Sequence, residues 1–411
     1  MGMAGADTAL PSDAAGTLYA NPAGLTALES QVGFGFEAFA SSASLSSTVD
    51  ANGFGPGMPA GEWTGSTDSD AGILPVPSMA LSYHPVDAPW AVGLGAYGIG
   101  GFGVDYPVDM QNPILSPQPS QGGAGFGGIY SNFQIMQIAP SFAYDVADWL
   151  ALGVSVTVDW ASLAVSPFPA ASPDNSISGD PTNPADPMNM PTYSNARGAS
   201  VFGLGFAVGL RVQLPAGLRL GVSAKSPQWL GNFAYNAAGE DGGPRRFEFD
   251  MDYPMILQAG LAYEGIDWLN LCADFRYVDY ARTKGFSDSG FDNTGAVRGF
   301  GWRSIYVVSL GAEVRATEWL RVRAGYSYNP APIESDMMFF NTPASALIEH
   351  QIYGGVGVAW QDFRLDLGVR HGFENSVTGP YASADPMRVP SARVTATLAT
   401  TSVALSVGMH Y

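Results

Sequence analysis

The sequence predicts an all-β fold: a 14-stranded antiparallel transmembrane β-barrel with an N-terminal hatch (plug) inside its lumen. Along segments of about ten residues, apolar residues alternate with small or polar ones, which is typical of strands with one face in lipid. Charged residues make up 13% of the chain, against about 25% in globular proteins, yet no run of ~18 apolar residues predicts a membrane-spanning helix. Short turns also alternate with long loops, as in outer-membrane barrels.

The composition limits the partners and the chemistry. The net charge of −19 over 411 residues disfavours nucleic acid and anionic headgroups as main partners. Cys272 is the one cysteine in the sequence, so we expect no internal disulfide, no cysteine metal cluster and no cofactor. The first four residues lack the basic and apolar parts of a signal peptide, so either this is a mature form or the signal lies upstream.

The chain opens on a stretch rich in small residues, 13–25, that differs from everything after it. Pro22 disfavours a helical conformation at Asn21 and favours an extended or turn geometry there. Alanine and glycine on both sides allow the backbone to approach other walls closely. We predict a hatch over residues 1–30 and a barrel over residues 31–411, with an ordinary N-terminal lead-in as the alternative.

From Val32 onward, six tight turns that each end on an aromatic residue or leucine join twelve predicted strands. The aromatic residues would lie at one level, as an interfacial girdle does. One strand before the first turn and one after the last give fourteen, whereas a β-propeller would repeat four strands per blade. The turns are residues 86–90, 145–149, 214–218, 265–268, 316–319 and 360–363.

A glycine-rich segment, residues 98–103, interrupts the third predicted strand. It fits a G-x-G-x-x-G string, but no helix or βαβ unit follows, so we predict no dinucleotide site. The alternation slips here, because Val92 and Leu94 lie on one face and Tyr97 and Ile99 on the other. Glycine in a strand marks a bulge or a close approach, so we predict a gap in the wall, with a strand fraying into a loop as the alternative. Gly100, Gly101, Phe102 and Gly103 lie in this segment.

No motif predicts an enzyme, and we assign no catalytic or metal-binding residue. The four histidines are scattered without metal-ligand spacing, and nothing supports a Ser-His pair beyond its being possible in any sequence. Cations on the inward faces are predicted to pair with inward carboxylates, since a barrel has to satisfy its interior charges; the alternative is that they bind a ligand. The cations are Arg211, Lys225, Arg276, Arg321, Arg323, Arg364 and Arg370, and the carboxylates are Asp159, Asp274, Glu313 and Asp366.

Over nearly its whole length the chain resembles the FadL/TodX-type (OmpP1-like) outer-membrane transporters of long-chain fatty acids and other hydrophobic compounds. The most specific part is residues 5–25, in which Asn21, Pro22 and Ala23 match the hatch motif of that family. Residues 302–332 and His371-Gly372-Phe373 also resemble it. The resemblance implies a bacterial outer-membrane location and passive uptake. It also implies capture in extracellular loops, an apolar pocket inside and lateral exit through a kinked third strand. Gly100, Gly101, Phe102 and Gly103 match that kink.

Apolar residues in the long loops are then candidates for the capture groove, with loop packing as the equal alternative. They are Met110, Ile114, Leu115, Phe126, Met188, Met190, Met337, Met338, Phe339 and Phe340. The fatty-acid members of the family carry a basic residue near the end of the fifth strand, but here Ser166-Pro167-Phe168 has none. This departure favours a neutral, hydrocarbon-like cargo over a fatty acid.

The expected partners are hydrophobic cargo, outer-membrane lipid and lipopolysaccharide, and the barrel-assembly machinery. The last strand alternates strictly up to Tyr411, which resembles the assembly signal of outer-membrane proteins. We expect a monomer. Two other functional classes stay open at this point: a general polar-solute porin, and a structural or adhesive outer-membrane barrel.

Overall fold

The computed structural model describes residues 2–53, 57, 59–167, 196–238, 243–290, 297–381 and 392–411. The predictions that concern Phe168, Met188 and Met190 lie outside the described residues. Within these ranges, no helix has the length and apolar character needed to cross a membrane.

In the described part of the chain, fourteen antiparallel strands form one closed sheet, because each pairs with the next and the last pairs with the first. This confirms the predicted barrel. The strands in chain order are β1 Gln31–Val49, β2 Ile73–Tyr83, β3 Trp90–Tyr106, β4 Ile129–Ala147, β5 Leu150–Ser166, β6 Ala196–Gln213, β7 Leu218–Lys225, β8 Ile256–Ile266, β9 Leu269–Val278, β10 Ile305–Arg315, β11 Leu320–Tyr328, β12 His350–Trp360, β13 Phe363–Pro380 and β14 Ala392–His410.

The outer surface of the barrel is apolar, as the alternation predicts. Val154 and Val156 of β5 are 52% and 58% exposed, whereas Ala151 and Ser155 on the other face are buried. Tryptophans at the tight turns are more than half exposed, which is the position of an interfacial girdle. They are Trp149, Trp268, Trp319 and Trp360.

The hatch begins with an irregular segment and continues as α1, Ala14–Ala20, and a 3₁₀ helix, Pro22–Ala27. The Asp13 carboxylate caps α1 by accepting a hydrogen bond from the Gly16 N–H at 2.8 Å. Asn21 between the two helices is extended, with φ −156° and ψ 104°, which is the geometry that a following proline favours. The hatch packs against the inward faces of the strands.

The long loops fold over the outer end of the barrel and bury a cluster of apolar residues there. Four short strands lie in or beside regions that the sequence predicts as loops. Trp63–Asp68 pairs with β1, Trp229–Leu230 pairs with β6, and Phe233–Ala238 pairs with Pro244–Phe249. Short 3₁₀ helices occur at Pro113–Leu115, Pro119–Gln121, Pro215–Gly217, Tyr280–Arg282, Ser335–Met337 and Phe339–Asn341.

Candidate functional site

The wall of the barrel is incomplete between β2 and β3. These strands pair from Tyr83 with Val92 to Ser78 with Tyr97, and among the described residues no pairing between them continues beyond that point. On its other side β3 stays paired to β4 as far as Tyr106, with a register shift between Gly98 and Gly100. The outer part of β3 therefore has a hydrogen-bonded neighbour on one side, and a bulge lies where it parts from β2.

The sequence of β2 explains why the pairing stops. Pro75 and Pro77 have no N–H to donate, and proline inside a sheet is confined to edges and bulges. Beyond the unpaired stretch the two edges meet again, since the Asp70 N–H donates to the Asp105 carbonyl at 2.7 Å. We call the opening between residues 73–77 of β2 and residues 98–104 of β3 the window.

Tyr253, from the loop before β8, holds the kink of β3. Its hydroxyl donates to the carbonyl of the bulged Ile99 at 2.7 Å. Burial raises the pKa of Tyr253 well above its usual range, so the hydroxyl keeps its proton and remains a donor. Its ring lies against Gly100, where a Cβ would stand 2.8 Å from the Tyr253 ring. Glycine at this position therefore allows the tyrosine to approach the bulge.

A cavity of about 440 Å³ lies directly behind the window. Leu74 and Val76 of β2 line one side of it, together with the edge of β3 from Gly100 to Gly103. The ion pair between Arg370 and Glu37, whose Nη2 and Oε1 atoms are 2.8 Å apart, also lines the cavity, and Glu37 lies beside Val76 in the sheet. The predicted kink residues thus lie together on one wall of this window cavity.

A second cavity, of about 240 Å³, lies further inside and is called the inner chamber. It shares Phe39, Ser41 and the β3 edge from Gly100 to Val104 with the window cavity, so the two meet at the kink. Seven of the residues that line it are aromatic. The aromatic residues are Phe39, Phe102, Phe133, Tyr253, Tyr280, Phe286 and Trp302.

A third, smaller cavity of about 60 Å³, the outer pocket, lies under the long loops. Among the predicted capture residues, Ile114, Phe126, Phe339 and Phe340 line it together. Leu115 and Met338 are fully buried beneath the loops. Met337 packs against Gly301, and Met110 is 68% exposed, so neither is part of this lining.

The hatch motif lies against β5 and β6. Asn21 Nδ2 donates to the carbonyls of Thr8 (2.9 Å) and Leu210 (3.0 Å), and Asn21 Oδ1 accepts from the Ala23 N–H (3.1 Å). A Cβ on Gly209 would collide with Asn21 Oδ1, and a Cβ on Gly153 would collide with the backbone at Pro22 and Ala23. Glycines on the wall therefore make room for the motif.

Other residues of the hatch contact the strand that carries the kink. Leu18 and Leu25 lie over Gly93, where a Cβ would be 2.8 Å and 3.0 Å from their Cδ2 atoms. Tyr19 makes an edge-to-face contact with Tyr97, with ring centroids 5.8 Å apart. The hatch thus reaches β3 through these residues, just before the window.

Interior charges form a compact network on β10, β11 and β13. Arg323 Nε lies 2.7 Å from Glu313 Oε2, and Arg323 Nη1 lies 2.5 Å from Asp366 Oδ1. Arg364 Nε is 2.7 Å from Asp366 Oδ2, and Arg321 Nη1 is 3.6 Å from Glu313 Oε1. These four arginine contacts follow the predicted pairing.

The remaining predicted charges find other partners. Asp274 accepts a hydrogen bond from the Thr8 N–H of the hatch at 3.0 Å, and Asp159 accepts from Gln137 Nε2 at 2.9 Å. Lys225 Nζ lies 3.5 Å from the centre of the Tyr19 ring, and in the described ranges no carboxylate forms an ion pair with it. Asp159 and Lys225 nevertheless interact electrostatically, as do Asp274 and Arg276, but hatch and neighbouring polar groups make the direct contacts of Asp159, Asp274 and Lys225. Arg276 donates to Gln258 Oε1 at 2.7 Å, while Arg211 reaches Asp145 at 4.0 Å.

Sequence reasoning missed several residues of the cavities. Pro75 and Pro77 could have been found, because two prolines in an otherwise alternating strand indicate an edge or a bulge. Tyr253, Phe286 and Phe300 carried no such signal, since an aromatic residue in a long loop has no period to place it. Their position depends on contacts with β3, far away in the sequence.

Comparisons with known proteins agree with this architecture. A family model described as "Outer membrane protein transport protein (OMPP1/FadL/TodX)" matches residues 1–411. No curated protein matches the sequence. Solved structures with a similar fold include the Pseudomonas putida toluene transporter TodX, at 15% identity and a TM-score of 0.70, and a Pseudomonas aeruginosa FadL homologue, at 16% and 0.70. The Ralstonia pickettii toluene transporter TbuX is 18% identical with a TM-score of 0.69, and all three comparisons cover 100% of this chain and 98% of the other.

Proposed function

The chain belongs to the OMPP1/FadL/TodX family of outer-membrane transport proteins, and from this membership we propose that it takes up small hydrophobic molecules passively, with lateral exit through the window. The outer pocket captures the molecule under the loops. The inner chamber receives it, and the window releases it into the lipid beside β2 and β3. Residues 1–30 act as the hatch and residues 31–411 as the barrel domain.

The window is the observation that carries this proposal. A complete barrel wall would offer an apolar solute no way out except across the hatch. Here the inner chamber and the window cavity meet at the kink, and in our proposal the window opens towards the membrane. Each methylene that leaves water gains about 0.8 kcal/mol, so partition into apolar sites drives the solute inward without a separate energy source.

The lining supports a neutral cargo. Among the described residues that line the outer pocket and the inner chamber, none is acidic or basic. Pro167 lies in the outer pocket, close to where a base would be expected for a carboxylate. Two of the similar structures are toluene transporters. We therefore place aromatic or aliphatic hydrocarbons ahead of fatty acids.

The proposal includes the partners of such a channel. Lipid and lipopolysaccharide cover the exposed apolar face, and the barrel-assembly machinery recognises the end of β14 and Tyr411. Tyr411 is anchored to the barrel, because its N–H donates to the Ser30 carbonyl at 3.0 Å. The protein acts as a monomer, since each barrel contains the whole path from outer pocket to window.

The test fills the window without disturbing the strands. Gly101 is unsuitable for this, since a Cβ there would lie 2.6 Å from the Phe133 carbonyl oxygen. Leu74 lines the window cavity, and we expect Leu74→Trp to lower toluene uptake about tenfold, equivalent to a barrier ~1.4 kcal/mol higher. Uptake is measured as accumulation of labelled toluene by cells that lack other channels of this family.

Ile73→Trp is the matched control, because the neighbouring residue on the same strand faces outward and is 68% exposed. It adds the same side chain to the lipid face and should leave uptake unchanged. Equal uptake by the two variants would reject lateral exit. A large ion conductance of the wild-type barrel in a planar bilayer would instead indicate a polar porin.

A further inference from the structure

The outer pocket and the inner chamber are adjacent but separate. They have no lining residue in common among the described residues. Phe300 lines the outer pocket and Trp302, two residues later, lines the inner chamber. This segment thus contributes a side chain to each cavity, and the direct way from one to the other runs past it.

Phe300 is the centre of the partition. Its ring centroid lies 5.6 Å from that of Phe102 and 5.8 Å from that of Phe286. It lies 6.0 Å from the ring centroid of Phe249 and 5.9 Å from that of Trp302. The side chain is 5% exposed, so one ring closes the gap between aromatic residues of four different segments.

The backbone under this ring is fixed from two sides. The Phe300 N–H donates to the Gly285 carbonyl at 2.9 Å, and the Trp302 N–H donates to the Phe286 carbonyl at 2.6 Å. On the other side, Asn341 Nδ2 donates to the Phe300 carbonyl at 2.8 Å, and Asn341 Oδ1 accepts from Trp302 Nε1 at 2.5 Å. Asn341 is fully buried. The segment is held in place, so the part of Phe300 that can move is its side chain.

We propose that Phe300 is the size filter of the channel, a ring that turns aside to pass a narrow cargo and excludes a wide one. This inference rests on the proposed function. Phe102 contacts Phe300 and also lines the window cavity, so a single residue separates the filter from the proposed exit. Asn341 is a positioning residue that keeps the filter across the path.

The experiment compares uptake of toluene, with one ring, and phenanthrene, with three fused rings, in the same cells. Phe300→Ala removes the ring, and we expect the ratio of phenanthrene to toluene uptake to rise about tenfold, the discrimination typical of a fitted apolar site. Phe300→Trp enlarges the ring, and the ratio should fall below that of the wild type. Heat-modifiability on SDS gels verifies that each variant is folded.

Phe340→Ala is the control, because Phe340 also lines the outer pocket but lies in the loop on its other side, with its ring 5.5 Å from that of Phe339. Its loss weakens capture of both probes and leaves their ratio unchanged. A wild-type ratio in folded Phe300→Ala with toluene uptake intact would overturn the filter alone. No toluene uptake by the wild type above cells without the protein would overturn the proposed function and the filter with it.

Discussion

Individual glycines on the inward faces of the strands lie where the hatch touches the barrel. Gly209 and Gly153 receive the motif, and Gly221 and Gly260 receive the backbone around Thr8. The alternation in the sequence predicts that these residues face inward. It does not predict which strands the hatch contacts, because the partners of Asn21 are 13 and 189 residues away along the chain.

The contact between Gly209 and Asn21 predicts that adding one methyl group, in Gly209→Ala, loosens the hatch. Gly209→Ala would force Asn21 away from Leu210 and loosen Thr8, which Asn21 also holds. Losing these hydrogen bonds costs about 1–3 kcal/mol per unsatisfied buried group. Cys272 reports the result, since this free thiol is buried next to Ala6, Ala9 and Leu10 of the hatch. We expect faster modification of Cys272 by a maleimide in Gly209→Ala.

The chain offers a matched control for this substitution. Gly354 also lies in a strand of the barrel, but a Cβ there would meet no atom within 4 Å. Gly354→Ala should therefore leave the rate of Cys272 modification at the wild-type value. The same rate in all three proteins would mean that Asn21 does not hold the hatch in place.

Whole elements explain the window better than single residues do. The slip of the alternation at Gly98 predicts the bulge that β3 has there. A window needs two edges, however, and its second edge is β2, where Pro75 and Pro77 end the pairing. The sequence of β3 alone does not predict this second edge. The strand Trp63–Asp68 was missed for a similar reason, because six mostly polar residues between Gly- and Asp-rich stretches read as loop until β1 is beside them.

Tyr253 provides a test of how the kink is maintained. Tyr253→Phe keeps the ring against Gly100 and leaves the Ile99 carbonyl without its donor, at a cost of about 0.5–1.5 kcal/mol. We expect faster hydrogen exchange at the amides of residues 99–101, measured by mass spectrometry. Tyr235→Phe removes an equivalent hydrogen bond, from the Tyr235 hydroxyl to the Leu163 carbonyl at 3.0 Å. It should leave the exchange of these amides unchanged, and acceleration by both variants would point to general loosening instead.

At the scale of the whole molecule, the barrel and the presence of a hatch were predictable, but the contacts inside the barrel were not. Strand number and orientation follow from local signals, the turns and the period of two, which repeat along the chain. The position of the hatch and of the aromatic partition depends on contacts between segments hundreds of residues apart. The proposed path from outer pocket to window depends on these contacts, so the parts of the molecule to which we assign the transport function are the ones that local patterns determine least.

The hatch is also the part whose attachment should depend on pH. Asp7 is half-buried between hatch and barrel, and it accepts a hydrogen bond from the Ser12 hydroxyl at 3.3 Å. Burial, with the nearby carboxylates of Asp13 and Asp274 acting in the same direction, raises the pKa of Asp7 from 3.8 to about 6. Arg323 and Arg364 line a small cavity together with Asp7. Their guanidinium groups, however, form ion pairs with Glu313 and Asp366.

The direction of the pH dependence follows from which state of the hatch, docked or released, binds the Asp7 proton more tightly. A docked hatch holds the Asp7 proton up to about pH 6, whereas a released hatch loses it near pH 4. Docking is therefore strongest at low pH, weakens as the pH rises from about 4 to about 6, and stays constant above. Because the Asp7 side chain is partly open to solvent, the effect of its pKa shift on docking is smaller than the full shift would give. We expect hatch release to change about tenfold.

Asp7→Asn cannot ionise and serves as the reference. Dividing the wild-type rate of Cys272 modification by the rate in Asp7→Asn cancels the effect of pH on the thiol itself. This ratio should be higher at pH 7.5 than at pH 5, and a ratio that stays constant over this range would show that Asp7 does not titrate on docking.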